Sequence, residues 1–531
     1  MKKFWDYPLY LIFFAIYPIL AMWATNIRFI PGSEIIRSLL ISIGLIILLF
    51  AIFFWITRKL EKAALIAALI HSAFFVYGHI HSRISSWMIG SLNIGRQRYF
   101  MVLVIAILAI LVILILRSRS NLKSLVVPLN IIGFVLLILP GYQILSFQSK
   151  NATNSAGQTT INEVQQTNSP ITLSQPSLGY WPDIYYIILD SYTRADVLSE
   201  CFAYDNQPFL DALAQRGFYV AQNSQTNFTI TDLSLAASLN LQYPQDLGNS
   251  VTDAADEFKL ESWVKNNVVR QSLKKAGYQI IGFETGYGIS QWEDADHYYA
   301  ISTNQQIINP FESMLLSTTM LKIVYDTRLP IFASFRMMLD TTYMQHRSRM
   351  LNILDQLDGM AGQDSPKFVF AHLLAPHSPF VFGADGELVI RNSPFTLNDD
   401  PESKDAYAYK DGYVKQVEYL NKRVLEFVDQ ALTKSKNPPI IIIQGDHGAS
   451  RFVTSKWGRS YILDAYYLPT GQGHLYDTIS PVNSFRVIFN DLFGTSLPLL
   501  EDKAFYTTHA TLDTLKPITG SKNKCNPAYL P

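Results

Sequence analysis

Charged residues make up only 16% of this 531-residue chain, whereas 49% of its residues are hydrophobic. Soluble chains carry roughly a quarter charged residues, so the composition speaks against a purely soluble or a disordered protein. Cysteine is almost missing: Cys201 and Cys525 are the only two, and they allow at most one disulfide, over a long separation that leaves geometry to decide. No internal repeat or run of like charge occurs. The formal net charge is zero, but it is unevenly spread. Residues 1–147 hold 13 Lys and Arg against 3 Asp and Glu, and the remainder holds 30 against 40. The larger, polar part is therefore acidic and would repel a phosphate backbone, which argues against a nucleic-acid binder.

The basic, apolar part reads as a membrane anchor. A helix needs about 20 apolar residues to cross a bilayer core. Five uncharged stretches satisfy this: Tyr7–Asn26, Ser38–Thr57, Ala63–Ser82, Tyr99–Leu116 and Ser124–Phe147. The first is too long and aromatic for a signal peptide and reads as an uncleaved span. The connectors alternate in charge. Lys2, Lys3, Arg58, Lys59, Lys62, Arg117, Arg119 and Lys123 fall on one side, and Arg28, Arg37, Arg83, Arg96 and Arg98 on the other. The richer set marks the cytoplasmic face, and five spans then place residues 148–531 outside. His79 and His81 close the third span and read as hydrated headgroup-zone residues, structural or in contact with lipid.

Residues 148–179 are rich in Ser, Thr, Asn and Gln and read as a polar, flexible linker. From Tyr180 short apolar runs alternate with helical periodicity. Ile184–Leu189, Tyr278–Phe283, Phe368–Leu374 and Ile440–Ile443 are too continuously apolar for half-exposed strands, which predicts a mainly parallel sheet covered on both faces. Val417, Leu420, Val424, Phe427 and Ala431 recur at helical spacing between them. The expected fold class is α/β: residues 1–147 form a five-helix transmembrane domain, and 180–531 form an extracytoplasmic α/β sandwich. Ligands of such sheets gather at the carboxyl ends of the strands.

Chemistry-bearing residues stand at those ends. Asp190 follows Ile184–Leu189 directly, and Asp446-His447-Gly448 follows Ile440–Ile443 after a Gln-Gly step. Two carboxylates and an imidazole suit Mn²⁺, Mg²⁺ or Zn²⁺, though each acid also fits a turn or cap. Thr231 has the form of an N-cap before Asp232-Leu-Ser-Leu-Ala-Ala, where the amides of a helix start would face an anionic group. His372 reads equally as a core residue.

Taken together, these motifs resemble the alkaline phosphatase superfamily in its sulfatase-like branch. Pro182–Asp190 is similar to that family's first metal-ligand strand, Thr231-Asp-Leu-Ser234 to its nucleophile segment, Gly445-Asp-His-Gly448 to its second metal motif, and Ala375-Pro-His377-Ser-Pro379 to its substrate-side histidine motif. The resemblance implies one divalent metal, Mn²⁺ foremost with Zn²⁺ or Mg²⁺ as alternatives, held by Asp190, Thr231, Asp446 and His447. It also implies Thr231 as nucleophile and His377 as the group that protonates the leaving oxygen or holds the phosphate. Arg451 and His474 are further candidates for the substrate side. Five spans before such a domain resemble the lipoteichoic acid synthase and phosphoethanolamine transferase architecture. The chain departs from true sulfatases at the nucleophile, which lies in Thr-Asp-Leu-Ser rather than a formylglycine motif, and at Ser191, where they carry a second acid. It departs from the lipoteichoic acid branch at Asp190, where Glu is usual.

The expectation is a metal-dependent enzyme of the plasma membrane that moves a phospho-alcohol headgroup from a phospholipid to an extracytoplasmic glycan or glycolipid through a phospho-threonine. A membrane-bound phosphodiesterase is the alternative enzyme. A non-catalytic domain that binds anionic ligands is the alternative from another class.

Overall fold

Length and apolarity make the N-terminal helices. In the structure, a computed structural model of the chain, these are α1 (Tyr10–Asn26), α2 (Ile36–Thr57), α3 (Leu60–Ile84), α4 (Gln97–Arg117) and α5 (Val126–Ala156). The structure describes residues 5–27, 30–85, 87–89, 92–93, 95–156, 169–246, 256–301, 308–323, 341–363, 366–389, 405–450, 452–507, 515–519 and 522–527. Among them, the last four of these helices belong to segments long and apolar enough to cross a membrane, and α1, at 17 residues, is shorter. It begins three residues later than the Tyr7 start expected from the sequence, because Asn130 on α5 holds the chain ahead of it. The Asn130 side chain accepts from the Tyr10 amide at 2.7 Å and donates to the carbonyls of Trp5 and Tyr7 at 2.9 and 2.8 Å. The chain folds as a multi-pass membrane anchor followed by an α/β sheet domain.

Two compact units divide the chain. One comprises Met1–Gln158, Thr303–Met344 and Arg391–Phe395, and the other Thr159–Ser302, Gln345–Ile390 and Thr396–Pro531. In the first, the short helix Pro310–Thr318, far along the chain, packs with the N-terminal helices. Phe311 and Leu315 are buried with Ile19, Ile30, Ile35 and Phe75. Asn309 and Glu312 form a reciprocal capping box, and Glu312 also pairs with Arg37. Gly78 leaves room for this packing, since a Cβ there would lie 2.4 Å from the Thr318 carbonyl oxygen. His81 is buried against the Gly95 carbonyl at 3.0 Å, whereas His79 is exposed.

The second unit is built on a seven-stranded sheet: β1 (Ile184–Leu189), β2 (Tyr219–Val220), β3 (Gln279–Phe283), β4 (His297–Tyr299), β5 (Lys367–Leu373), β6 (Ile440–Gly445) and β7 (Asp464–Tyr467). The spatial order is β2-β7-β6-β1-β5-β3-β4. Strands β6, β1, β5, β3 and β4 run parallel, and β7 is antiparallel to both β6 and β2. Side chains of β1 alternate between two cores. Tyr186 and Ile188 join Leu233, Ala237, Phe485 and Phe489 from α7 (Thr231–Asn240) and α10 (Pro481–Phe493). Tyr185 meets Phe427 of α8 (Ala406–Lys434) on the opposite face. Both faces are covered, which is why the central strands read as unbroken apolar runs.

Part of the stretch expected to be a linker is packed. Ile171, Leu173 and Leu178 lie against the core, and the Ser174 and Ser177 amides donate to the carbonyls of Phe493 and Leu492. Those three apolar residues supply the anchors that the polar composition around them conceals. Residues 157–168 of the stretch lie outside the described residues.

Cys201, on α6 (Ala195–Phe202), and Cys525 form a disulfide across 324 residues. It fastens the segment around Cys525 beside Val453–Ser455, where Ser455 and Asn526 amides donate to the carbonyls of Lys524 and Val453 at 2.8 Å each. Closing so long a loop constrains the unfolded chain. Converting both cysteines to serine should lower stability by about 2–5 kcal/mol, read as a drop in melting temperature that reductant reproduces in the wild type. An unchanged melting temperature would show that the crosslink is idle.

Asp464 on β7 is fully buried and accepts from Gln444 (2.9 Å), Ser224 (3.0 Å) and Tyr466 (2.8 Å). Burial nonetheless outweighs these donors and pushes its carboxyl up to about 7 from 3.8. A carboxyl raised by folding binds its proton more tightly in the native state. Its stabilising effect is complete below the unfolded value and is lost as pH rises from about 4 through about 7. D464N should therefore gain on the wild type in melting temperature across this range. A constant difference between the two would contradict the shift.

Candidate active site

Three neighbouring strands assemble the site. Leu189 pairs with Gly445 on one side and Leu373 on the other, so the residues that follow β1 and β6 emerge side by side at the carboxyl edge. Those residues are Asp190 and Asp446. His372, opposite Ile188 on β5, joins them from the other flank. Gly445 permits the close turn, since a Cβ there would meet the Tyr192 carbonyl oxygen at 2.4 Å. Among the described residues, Asp190, His372 and Asp446 each offer a ligand atom within 4.8 Å of the others, and all three are buried.

Asp446 is oriented by its backbone. Its Oδ1 accepts from the amides of Ser191 (2.9 Å) and His447 (2.8 Å), while Oδ2 is buried and, among the described residues, has no hydrogen-bond partner. Ser191 has a φ of 65°, rare for a residue with a side chain. From that position its Oγ bridges Asp190 Oδ1 at 3.1 Å and His447 Nδ1 at 3.2 Å. Where true sulfatases place a second acid, this chain places a hydroxyl that ties two site residues together.

His447 Nδ1 also lies 3.0 Å from the Gly448 carbonyl, which accepts a hydrogen bond from Nδ1–H, so the Nε2 lone pair faces the cluster. Nε2 is 3.8 Å from Asp190 Oδ1 and 3.5 Å from Asp446 Oδ2. His372 Nε2 approaches the other oxygen of Asp190 at 3.7 Å, and among the described residues neither of its ring nitrogens has a hydrogen-bond partner. The two imidazoles thus meet opposite oxygens of one carboxylate. Burial holds both neutral, pushing His372 down to about 4 and His447 well below its ordinary value, the latter helped by the Arg459 and His377 charges. Burial, and then the neighbouring Asp446, push Asp190 well above the usual carboxylate range. Two buried acids, an orphaned carboxylate oxygen and partnerless imidazole nitrogens form a donor set that fits a divalent cation.

Thr231 comes from a different element. Helix α7 starts at this residue with Ile230 as its cap and no side-chain cap bond, so the N-cap expected of Thr231 is not formed. Its Oγ1 instead lies 3.3 Å from His447 Nε2. The helix is pinned to the acidic loop by Ser234, whose Oγ donates to the Asp446 carbonyl at 2.7 Å, and Thr226, in the segment ahead of the helix, donates to the same carbonyl at 2.5 Å. His377 follows β5. Its amide donates to the Asp190 carbonyl at 3.0 Å, and its ring centroid is 6.4 Å from that of His447.

The sequence candidates separate here. Asp190, Thr231, His377, Asp446 and His447 converge. His474 lies on the surface, paired with Asp491 at 2.5 Å, and among the described residues none of its contacts is with the cluster. Arg451 lies outside the described residues. Arg459 reaches the site instead, with Nη2 3.3 Å from His447 Nε2. Tyr287, after β3, gives its hydroxyl to Asp232 and sets its ring 6.4 Å from His372. Neither had a local signal in the sequence; both arrive through loops whose positions the fold decides.

The model of the sulfatase family matches residues 182–478, more than half of the chain. The chain belongs to the sulfatase family, whose members are enzymes of the alkaline phosphatase superfamily. Among solved structures it is similar to the C-terminal periplasmic domain of EcEptC from Escherichia coli, at 14% identity over 66% of this chain and 96% of that one, with a TM-score of 0.40. It is also similar to the integral membrane protein lipooligosaccharide phosphoethanolamine transferase A (EptA) from Neisseria meningitidis, at 12% identity over 92% and 96%, with a TM-score of 0.35. A protein in the alkaline phosphatase superfamily from Vibrio parahaemolyticus matches at 14% identity over 66% and 81%, with a TM-score of 0.36. Among curated proteins none matches.

Proposed function

We propose that this chain is a membrane-anchored phosphotransferase. It moves a phospho-alcohol headgroup from a phospholipid to an extracytoplasmic glycan or glycolipid through a phospho-threonine at Thr231. The observation that carries this reading is the approach of Thr231 Oγ1 to His447 Nε2 beside the buried acids Asp190 and Asp446, at the start of a helix whose amides favour an anion. Asp190, Thr231, Asp446 and His447 are the proposed ligands of one divalent cation, Mn²⁺ foremost, with Zn²⁺ or Mg²⁺ as alternatives. Such a cation, when bound, favours the alkoxide of a threonine and stabilises charge on phosphoryl oxygens.

Thr231 Oγ attacks phosphorus as its proton passes to solvent, and the bond from phosphorus to the glycerol oxygen breaks. His377 gives a proton to that leaving oxygen, releasing diacylglycerol. An acceptor hydroxyl then attacks phosphorus and yields its proton to His377, and the bond to Thr231 breaks. The side chain recovers its proton from solvent.

In this reading residues 1–147 anchor the enzyme and 180–531 carry the chemistry outside the cytoplasm. Two observations support that side. The Cys201–Cys525 disulfide suits an oxidising compartment. The helix Pro310–Thr318, from the C-terminal part of the chain, contacts Glu34 and Arg37, which lie in the less basic set of membrane flanks.

The test is peptide mass spectrometry across Thr231 after incubation with Mn²⁺ and mixed phospholipids and an acid quench. A phospho-alcohol adduct is expected, and its mass names the headgroup. Release of the phospho-alcohol to water without an acceptor product would favour the phosphodiesterase. Neither adduct nor lipid cleavage would overturn both.

A further inference from the structure

Arg459 lies on a five-residue helix, α9 (Lys456–Ser460), and its guanidinium is fixed by the backbone of both loops that build the site. Nε donates to the carbonyl of Thr229, two residues before Thr231, at 2.9 Å. Nη1 lies 3.4 Å from the carbonyls of Gly448 and of Ala449, directly after His447. The arginine's own carbonyl accepts from the Gly448 amide at 2.7 Å, which ties the helix to the loop after β6. Nη2 faces inward, 3.3 Å from His447 Nε2. His447 Nε2 in turn lies 3.3 Å from Thr231 Oγ1. The guanidinium and the hydroxyl therefore flank one point and are no farther apart than twice that distance. A phosphoryl group on Thr231 Oγ would carry its non-bridging oxygens two bonds from that atom, a reach that fits within this interval.

From this geometry we infer that Arg459 binds a non-bridging oxygen of the phosphoryl group that Thr231 attacks. The inference deepens the phosphotransferase reading and rests on it. A guanidinium keeps its charge at any working pH and presents donors in a rigid plane. Here three carbonyls set that plane in advance, so little reorganisation accompanies the build-up of negative charge on the phosphoryl oxygens. The ligand class is a phosphate mono- or diester, recognised at its phosphorus-bound oxygens rather than at its alcohol.

The probe is inorganic phosphate, titrated calorimetrically into the full-length protein in detergent with Mn²⁺ present. R459A should bind phosphate about tenfold to a hundredfold more weakly, the loss of one charge-assisted hydrogen bond. R459Q removes the charge but can still donate to the Thr229 carbonyl. It should keep the wild-type melting temperature and show a similar loss, and it supplies the reading if R459A fails to fold. Added guanidinium ion should restore formation of the Thr231 adduct in R459A, which a purely structural arginine would not allow. Wild-type phosphate affinity in R459Q, while the wild type forms the Thr231 adduct, would overturn the role of Arg459 alone. A wild type that neither binds phosphate nor forms the adduct would overturn the phosphotransferase reading with it.

Discussion

Thr231→Ala is expected to abolish the covalent adduct and reduce lipid-headgroup transfer by at least about a thousandfold, with the fold intact. The size of the effect follows from the chemistry: without an oxygen at this position the reaction must proceed by direct attack of acceptor or water, and the remaining groups stabilise only charge. Stability should barely change. The Thr231 side chain makes no cap bond, and α7 is fastened through Ser234 and the buried Leu233, Ala236 and Ala237. The measurement is single-turnover release of diacylglycerol, with circular dichroism as the folding control. Thr231→Ser retains the hydroxyl and should keep a substantial share of the rate. Undiminished metal-dependent turnover in the alanine variant would sink Thr231 as nucleophile.

Asp446→Asn should eliminate divalent-metal binding and, in the metal-free protein, raise the melting temperature. The two effects have one origin. Asn keeps an acceptor for the Ser191 and His447 amides but replaces the partnerless Oδ2 and removes a charge beside buried Asp190. In the wild type a bound cation relieves that repulsion, so adding metal should stabilise it by about 2.7 kcal/mol at a hundredfold excess over the dissociation constant. The variant should show no such gain. Thermal melts with and without Mn²⁺ separate the cases. A metal-induced shift of full size in Asp446→Asn would place the cation elsewhere. The same melts on His372→Ala and His447→Ala would rank the two imidazoles, which meet different oxygens of Asp190.

The central strands were legible because burial on both faces makes a strand one apolar run: Ile184–Leu189 and Ile440–Ile443 stand out without any structure. The short outer strands were not. Tyr219–Val220, His297–Tyr299 and Asp464–Tyr467 are two to four residues long, and their pairing comes from neighbours in space rather than from a pattern of their own. The five apolar stretches were equally plain, since a bilayer sets the length of a span. The first lost a turn's worth of its expected length because Asn130, more than a hundred residues away, occupies the amide and carbonyls ahead of Tyr10.

The candidate site divides along the same line. Acids at strand ends, a threonine opening a helix, and a histidine in an Ala-Pro-His-Ser-Pro turn are local features, and their residue types state the chemistry. The sequence by itself determined that a basic, apolar anchor precedes an α/β domain, and which side chains stand at the carboxyl ends of its strands. Only the tertiary structure decided that Arg459 rather than His474 reaches His447, that His372 faces Asp190 from a second strand, and that Cys201 meets Cys525. Strand order and loop packing bring together groups separated by hundreds of residues. A sequence read locally carries the length of an element and the character of its ends, but not which ends share an edge.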